Sequence, residues 1–199
     1  MNNIIIREPT LEDADAFVAA MLRSQSLHYP WVKSPQTLQE FSDYFQRFQQ
    51  PNQKSYLVCD HSGDIAGVFN ISEIVRGLFQ NAFLGFYTVA DYATKGYMSA
   101  GLKLVLEKVF KELALHRLEA NIQPENIRSI QLIKNNGFRY EGFSPRYLKI
   151  NGEWRGHEHW AMTLEDYIRN DPEVLKKDHV DIVPYNSGWP NMALSLIHI

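Results

Sequence analysis

The stretch "VADYATKGYMSAGLKLVLEKVF", residues 89–110, decides how the rest of the chain is read. It follows the apolar run "AFLGFYTV" and leads into an amphipathic pattern at Leu102, Val105, Leu106, Val109 and Leu113. Those spacings of three and four predict a helix with one apolar face. Strand, tight loop and helix in that order can bind an anion, because the first N–H groups of a helix lack acceptors and carry partial positive charge. Yet Gly96 is the single glycine between Val89 and Ser99. Glycine is required only where φ is positive or a side chain would block the ligand. Successive amides from Lys95 through Gly96, Tyr97 and Met98 to Ser99 can therefore form a concave nest, with the Lys95 charge and the Ser99 hydroxyl beside it. A solvated turn before a helix gives the same local sequence.

Two phosphate motifs are absent. There is no GxxxxGK[ST], which excludes a P-loop NTPase, and no GxGxxG opening a βαβ unit, which sets aside a dinucleotide fold.

Upstream, "NIIIRE" reads as a first strand. Thr10 with Asp13 marks a helix start, and the helix is predicted over Leu11–Arg23. Ser34-Pro35 predicts the start of a second helix carrying Phe41, Tyr44, Phe45 and Phe48 on one side. "KSYLVCD" and "DIAGVFNISEIV" flank the turn "HSGD", and "RGLFQN" turns again into "AFLGFYTV". Residues 53–89 thus form an antiparallel meander.

Downstream, "HRLEANI" is a strand and "PENIRSIQLIKNNGF" a helix ending at Gly137. "GFSPRYLKINGEWRGHEHWAMT" is a hairpin turning at Asn151-Gly152, and "LEDYIRN" a short helix capped by Thr163. The pattern is one α+β domain with a mixed sheet over residues 1–170.

The 199 residues are 45% hydrophobic and 22% charged, with a net charge of −3. That is the profile of a globular protein with a core, and it argues against direct nucleic-acid binding. The N-terminus carries three consecutive apolar residues before Arg7 and reads as neither a signal peptide nor a membrane span. Cys59 stands alone, so no disulfide forms within the chain, which suits the cytoplasm; in "YLVCD" it reads as a small buried hydrophobe. His157 and His159 of "HEH" point to one strand face, without a third ligand at metal-site spacing.

Three segments in consistent order carry a family resemblance: "GVFNISEIVRGLFQNAFLGFY", "KGYM" and "NNGFRYEGFSPRYLKINGEWRGH". With "NIQPENIRSIQLIKNNGF", they resemble the GNAT acyltransferases, and within them the RimJ-like ribosomal-protein-alanine N-acetyltransferases, over about residues 4–169. The resemblance implies the GNAT fold, a twisted mixed sheet of about seven strands flanked by helices. It implies direct transfer of acetyl from acetyl-CoA, without a metal, to an amine: the N-terminal α-amino group of a ribosomal or other protein. The alternatives are a small-molecule amine such as a polyamine or aminoglycoside, or a CoA-binding module without chemistry. A monomer or homodimer is implied.

The resemblance also implies roles. The pyrophosphate sits over Lys95–Ser99. Backbone N–H groups near Thr88, Val89 and Ala90 polarise the thioester carbonyl. Asn126 contacts the pantetheine arm and Ser129 protonates the departing thiolate, although Asn126 with Ser129 also makes an ordinary helix cap. Glu73 and Glu141 are the general-base candidates. The family's loop pattern Q/R-x-x-G-x-G/A meets Ala93 and Met98 at its outer positions, with Gly96 kept, so weakened cofactor affinity is expected from those two residues. Trp31 is expected as an aromatic of the cleft wall.

After Asn170 the composition shifts. Residues 171–178 read as a charged linker, and 179–193 resemble the opening strand of a GrpB-family domain. The last six residues, "LSLIHI", match a translated sequencing-library transposon end, so a truncated acetyltransferase–GrpB fusion is expected.

Overall fold

The computed structural model describes residues 4–170. The linker, the GrpB-like segment and the adapter-like end expected after residue 170 lie outside the described residues.

Seven strands form one mixed sheet in the order β1-β2-β3-β4-β5-β7-β6. They are β1 (Ile5–Arg7), β2 (Lys54–Cys59), β3 (Ile65–Val75), β4 (Asn81–Thr88), β5 (Arg117–Ile122), β6 (Arg139–Ile150) and β7 (Glu153–Thr163). Every neighbouring pair is antiparallel except β4 with β5. The meander and the Asn151-Gly152 hairpin stand where the sequence predicts them, with φ of 51° and 86° at the two turn residues.

On one face pack α1 (Ala14–Arg23) and α3 (Leu38–Phe48). Phe17, Met21, Phe41, Tyr44 and Phe48 meet Leu57, Cys59, Val68, Tyr87 and Val89 there. The other face carries α4 (Tyr97–Glu107), α5 (Ile127–Asn135) and α6 (Leu164–Asn170), over a core of Phe69, Ile71, Leu84, Leu118 and Met162. Leu102 and Val105 of α4, and Val109 of the π-helical turn Lys108–Glu112 that follows it, are fully buried, each stabilising the fold by about 1.5–3 kcal/mol. Gly101 lets α4 lie close on the sheet: a Cβ there would meet the Val58 methyls at 2.7 and 3.0 Å.

Three boundaries in the first fifty residues differ from the sequence reading, and the helix predicted through Leu113 ends at Glu107 with a π-helical turn, Lys108–Glu112, after it. The first helix opens as a 3-10 turn, Leu11–Asp13, with the Asp13 carboxylate accepting from the Thr10 N–H at 2.7 Å and from the Arg7 guanidinium. A short α2 (Gln25–His28) follows α1. The next helix starts at Leu38, not at Ser34-Pro35. Thr37 caps it, accepting from the Glu40 N–H at 3.1 Å, whereas Ser34 is buried against His28. A hydroxyl can serve a helix end or a buried imidazole, and the tertiary partner claims Ser34.

Candidate active site

β4 and β5 pair in register only at Asn81–Arg117, Ala82–Leu118 and Phe83–Glu119. Beyond that, β4 runs on to Thr88 beside β3 alone, and β5 runs on to Ile122 beside β7 alone. The two central strands splay, and their unpaired edges line a cleft that opens toward their C-terminal ends.

Backbone alternation assigns the cleft edge. The Val89 N–H donates to the Ala66 carbonyl of β3 at 2.9 Å. The Thr88 carbonyl shares that peptide plane and points the opposite way, where His28 Nε2 meets it at 2.8 Å. Backbone groups in an antiparallel strand alternate between neighbours, so Thr88 and Phe86 turn theirs to the open edge. This corrects one expectation. The N–H groups of Val89 and Ala90 do not face a substrate: the first is bonded to Ala66 and the second donates to Ser24 Oγ at 2.9 Å. Phe86 takes their place, and only the strand pairing could reveal it.

The glycine-poor loop is held by side chains. Ser24 at the end of α1 anchors Ala90, the Tyr92 hydroxyl donates to Asp60 at 2.9 Å, and Arg23 pairs with Asp91. Tyr92 and Tyr97 pack edge to face at 4.9 Å. Thr94 and Gly96 take positive φ, 62° and 85°, which turns the chain sharply into α4. The N–H groups of Tyr97, Met98 and Ser99 open that helix, where no intrahelical acceptor exists. Lys95 is exposed beside them. Met98, the departure from the family pattern, has its sulfur over Gly67 of β3. Ser99 Oγ hydrogen-bonds the Asn136 side chain just past α5, which ties the two helices together.

Asn126 and Ser129 sit at the other end of α5, and the Asn126 side chain accepts from the Ser129 N–H at 3.3 Å. Capping is therefore the geometry present. It occupies the Asn126 oxygen and leaves the Ser129 hydroxyl unbonded among the described residues. The nine residues of α5 put roughly 14 Å between this end and the nest. An extended pantetheine arm can run between them along the cleft.

The two glutamates lie elsewhere. Glu141 is bracketed by Arg117 and Arg139, and its carboxyl is held below the usual range chiefly by the Arg117 hydrogen bonds. Arg117 begins β5, at the closed end of the splay. Glu73 lies between Ser72, opposite Phe83, and Val75, opposite Asn81, so it too marks the closed end. Phe83 and Thr88 are five residues apart, roughly 17 Å along the strand. Glu73 stands toward the closed end and Glu141 is committed to two arginines, so neither carboxylate is free to serve as the base.

Two cavities adjoin the open end. One, of about 350 Å³, lies between α3 and the sheet and includes Lys33, Glu40, Asp43, Arg47, Asn70 and Tyr87. The other, of about 380 Å³, lies between the loop at Tyr29–Trp31 and the β6–β7 hairpin, with Gln123, Glu125, Glu153 and Arg155. Trp31 is thus a wall of the second cavity. His28 is buried beneath this region, and burial holds its imidazole below the ordinary value, in the neutral form. With Nε2–H donated to Thr88, its Nδ1 accepts from the Ser34 hydroxyl at 3.0 Å. His159 is engaged by Asn121 and Ser144, and among the described residues no metal-binding group of three or more His, Cys, Asp or Glu converges.

Comparison with known proteins agrees with this geometry. The acetyltransferase (GNAT) domain model matches residues 3–139. The chain is 32% identical over 126 residues to the probable N-acetyltransferase YjcK of Bacillus subtilis, covering 63% of this chain and 70% of that protein. It is 36% identical over 104 residues to the ribosomal protein uS5-alanine N-acetyltransferase of Escherichia coli, covering 52% of this chain and 54% of that one. Mycobacterium smegmatis RimJ, solved with CoA-disulfide, superposes with a TM-score of 0.77 at 23% identity, over 87% of this chain and 88% of that one. The Vibrio cholerae spermidine N-acetyltransferase, solved with CoA and spermine, gives 0.71 at 17% identity, over 83% and 98%. The chain belongs to the GNAT acetyltransferase family and is an acetyl-CoA-dependent N-acetyltransferase.

Proposed function

We propose that the acceptor is the α-amino group of a protein N-terminus, as in the ribosomal-protein-alanine acetyltransferases. The charge balance of the two cavities carries this reading. In the first, Lys33 and Arg47 offset Glu40 and Asp43; in the second, Arg155 pairs with Glu153 and leaves Glu125. A polyamine brings several positive charges and needs an acidic excess, whereas one ammonium needs about one acid.

Proton chemistry points the same way. An α-amine titrates near 8, so about one in ten is already neutral at pH 7, against fewer than one in a thousand lysines. Such a nucleophile needs little help from a base, which fits a site where Glu73 is bonded to Gln53 and Glu141 to Arg117 and Arg139. Acetyl-CoA lies in the splay with its pyrophosphate on the amides from Gly96 to Ser99. The Phe86 or Thr88 N–H polarises the thioester carbonyl. The neutral amine attacks the carbonyl carbon, the C–S bond breaks as the C–N bond forms, the nitrogen releases its surplus proton to solvent, and the Ser129 hydroxyl gives its proton to the thiolate and regains one from solvent.

Thiol release from acetyl-CoA tests the reading across three acceptors: a peptide with a free N-terminal alanine, an N-terminally blocked lysine peptide and spermidine. Turnover with the first well above the others is expected. Preference for spermidine would move the assignment to a polyamine enzyme, and binding of acetyl-CoA without release to any amine would end the enzymatic reading.

A further inference from the structure

Gly85 lies in the middle of the central strand and is nevertheless exposed. Alternation puts it on the α3 face with Tyr87 and Val89, and the nearest atom to a Cβ there would be the Asn70 Cβ, at 3.9 Å. This face of β4 is therefore open between Gly85 and Tyr87, and it continues into the cavity under α3. Tyr87 is 7% exposed, and its hydroxyl makes no hydrogen bond of good geometry, although the Asn70 and Tyr44 side chains lie close to it. The neighbouring Tyr44 hydroxyl is already committed to Ser55 and to Asn70 Oδ1. A buried hydroxyl without a partner costs free energy unless a ligand supplies the bond.

We propose that this groove is a subsite for an uncharged peptide group of the acceptor, bonded to the Tyr87 hydroxyl above Gly85. The proposal rests on the protein N-terminus as acceptor and adds the residues that read the chain behind the amine. Tyr87 belongs to the strand whose alternate residues, Phe86 and Thr88, edge the cleft, so a ligand in the groove is one strand thickness from the transfer point. The floor residues Tyr87, Asn70 and Gly85 bear no charge, and burial drives the Tyr87 phenol well above its ordinary value, so it stays neutral. An amide matches such a floor, and an ammonium does not. Gly85 supplies the space that a side chain would fill.

Tyr87→Phe and Gly85→Val test it with alanyl peptides of four residues, alaninamide and acetyl-CoA. Valine suits a strand, and its Cβ fits beside Asn70. Tyr87→Phe is expected to raise KM for the peptide about five- to tenfold, with a smaller change for alaninamide and an unaltered acetyl-CoA Kd. Gly85→Val is expected to raise the peptide KM by more. If the wild type acetylates the peptide and both folded variants match it, or if peptide and alaninamide lose equally, the subsite is overturned while the acceptor reading stands. If the wild type ignores the peptide, the acceptor reading fails. Should Tyr87→Phe not fold, Gly85→Val decides alone.

Discussion

The sulfur of Met98 fills the space above Gly67, so closely that a Cβ at position 67 would force the methionine side chain to shift. The first turn of α4 is thereby seated on β3, and a residue that departs from the family's loop pattern is explained by the glycine beneath it. Gly67→Ala should destabilise the fold by about 1–3 kcal/mol through overpacking and weaken acetyl-CoA binding. The same change in a Met98→Ala background should cost clearly less. A double-mutant cycle by denaturant unfolding measures the coupling, and additive losses would dissolve the pair.

Gly96 takes a φ of 85°, and a Cβ there would meet nothing within 4 Å. Gly96→Ala therefore strains the backbone without a clash, at a cost of about 1 kcal/mol. Because the strain is released by tilting the amides of the nest, calorimetry should show acetyl-CoA affinity falling several-fold.

Glu73→Gln and Glu141→Gln should each leave turnover within about twofold of wild type, far from the loss of at least a hundredfold expected on removing a general base. Glu141 should matter to stability instead. Its folded pKa is depressed, so its contribution is present above the ordinary carboxylate range and lost as pH falls below about 4.3. The pairs are partly exposed, so the effect is about 1 kcal/mol or less. Thermal melts at pH 7 and at low pH should converge for Glu141→Gln and wild type only in acid.

His28 ties the Thr88 carbonyl to Ser34 from a buried position. Its folded pKa lies below the unfolded value near 6.5, so its neutral form contributes stability above that pH, and protonation removes it as pH falls further. Wild-type stability should decline on acidification below about 6.5. His28→Asn should flatten that decline in part, since buried His157 titrates in the same direction. An unchanged slope would show His28 to be irrelevant to it.

Ser129→Ala separates the two readings of the α5 start. The cap belongs to Asn126, whose side-chain oxygen still accepts from the residue-129 backbone N–H after the change. Stability should move by no more than about 0.5 kcal/mol, while single-turnover acetyl transfer slows at least tenfold if the hydroxyl protonates the thiolate. Equal rates would leave Ser129 as a residue of the cap alone.

The elements themselves were legible in the chain. Helices and strands follow from periodicity at Leu102–Leu113 and in the meander, and Asn151-Gly152 and Gly137 mark their own turns, because such features depend on neighbours within a few residues. The nest at Gly96 and the Asn126 cap are local in the same sense, and order along the chain sufficed to place them in one family. Where β4 parts from β5, however, is a matter of register between strands, and register depends on packing across the whole sheet. It alone decided that Phe86 rather than Val89 or Ala90 faces the cleft, and that Glu73 stands toward its closed end while Glu141 is held by Arg117 and Arg139. Ser34-Pro35 has the local signature of a helix start, but the hydroxyl is taken by His28, a tertiary partner that local sequence does not reveal. The open groove over Gly85, with Tyr87 beside it, exists only once α3 and the sheet have met.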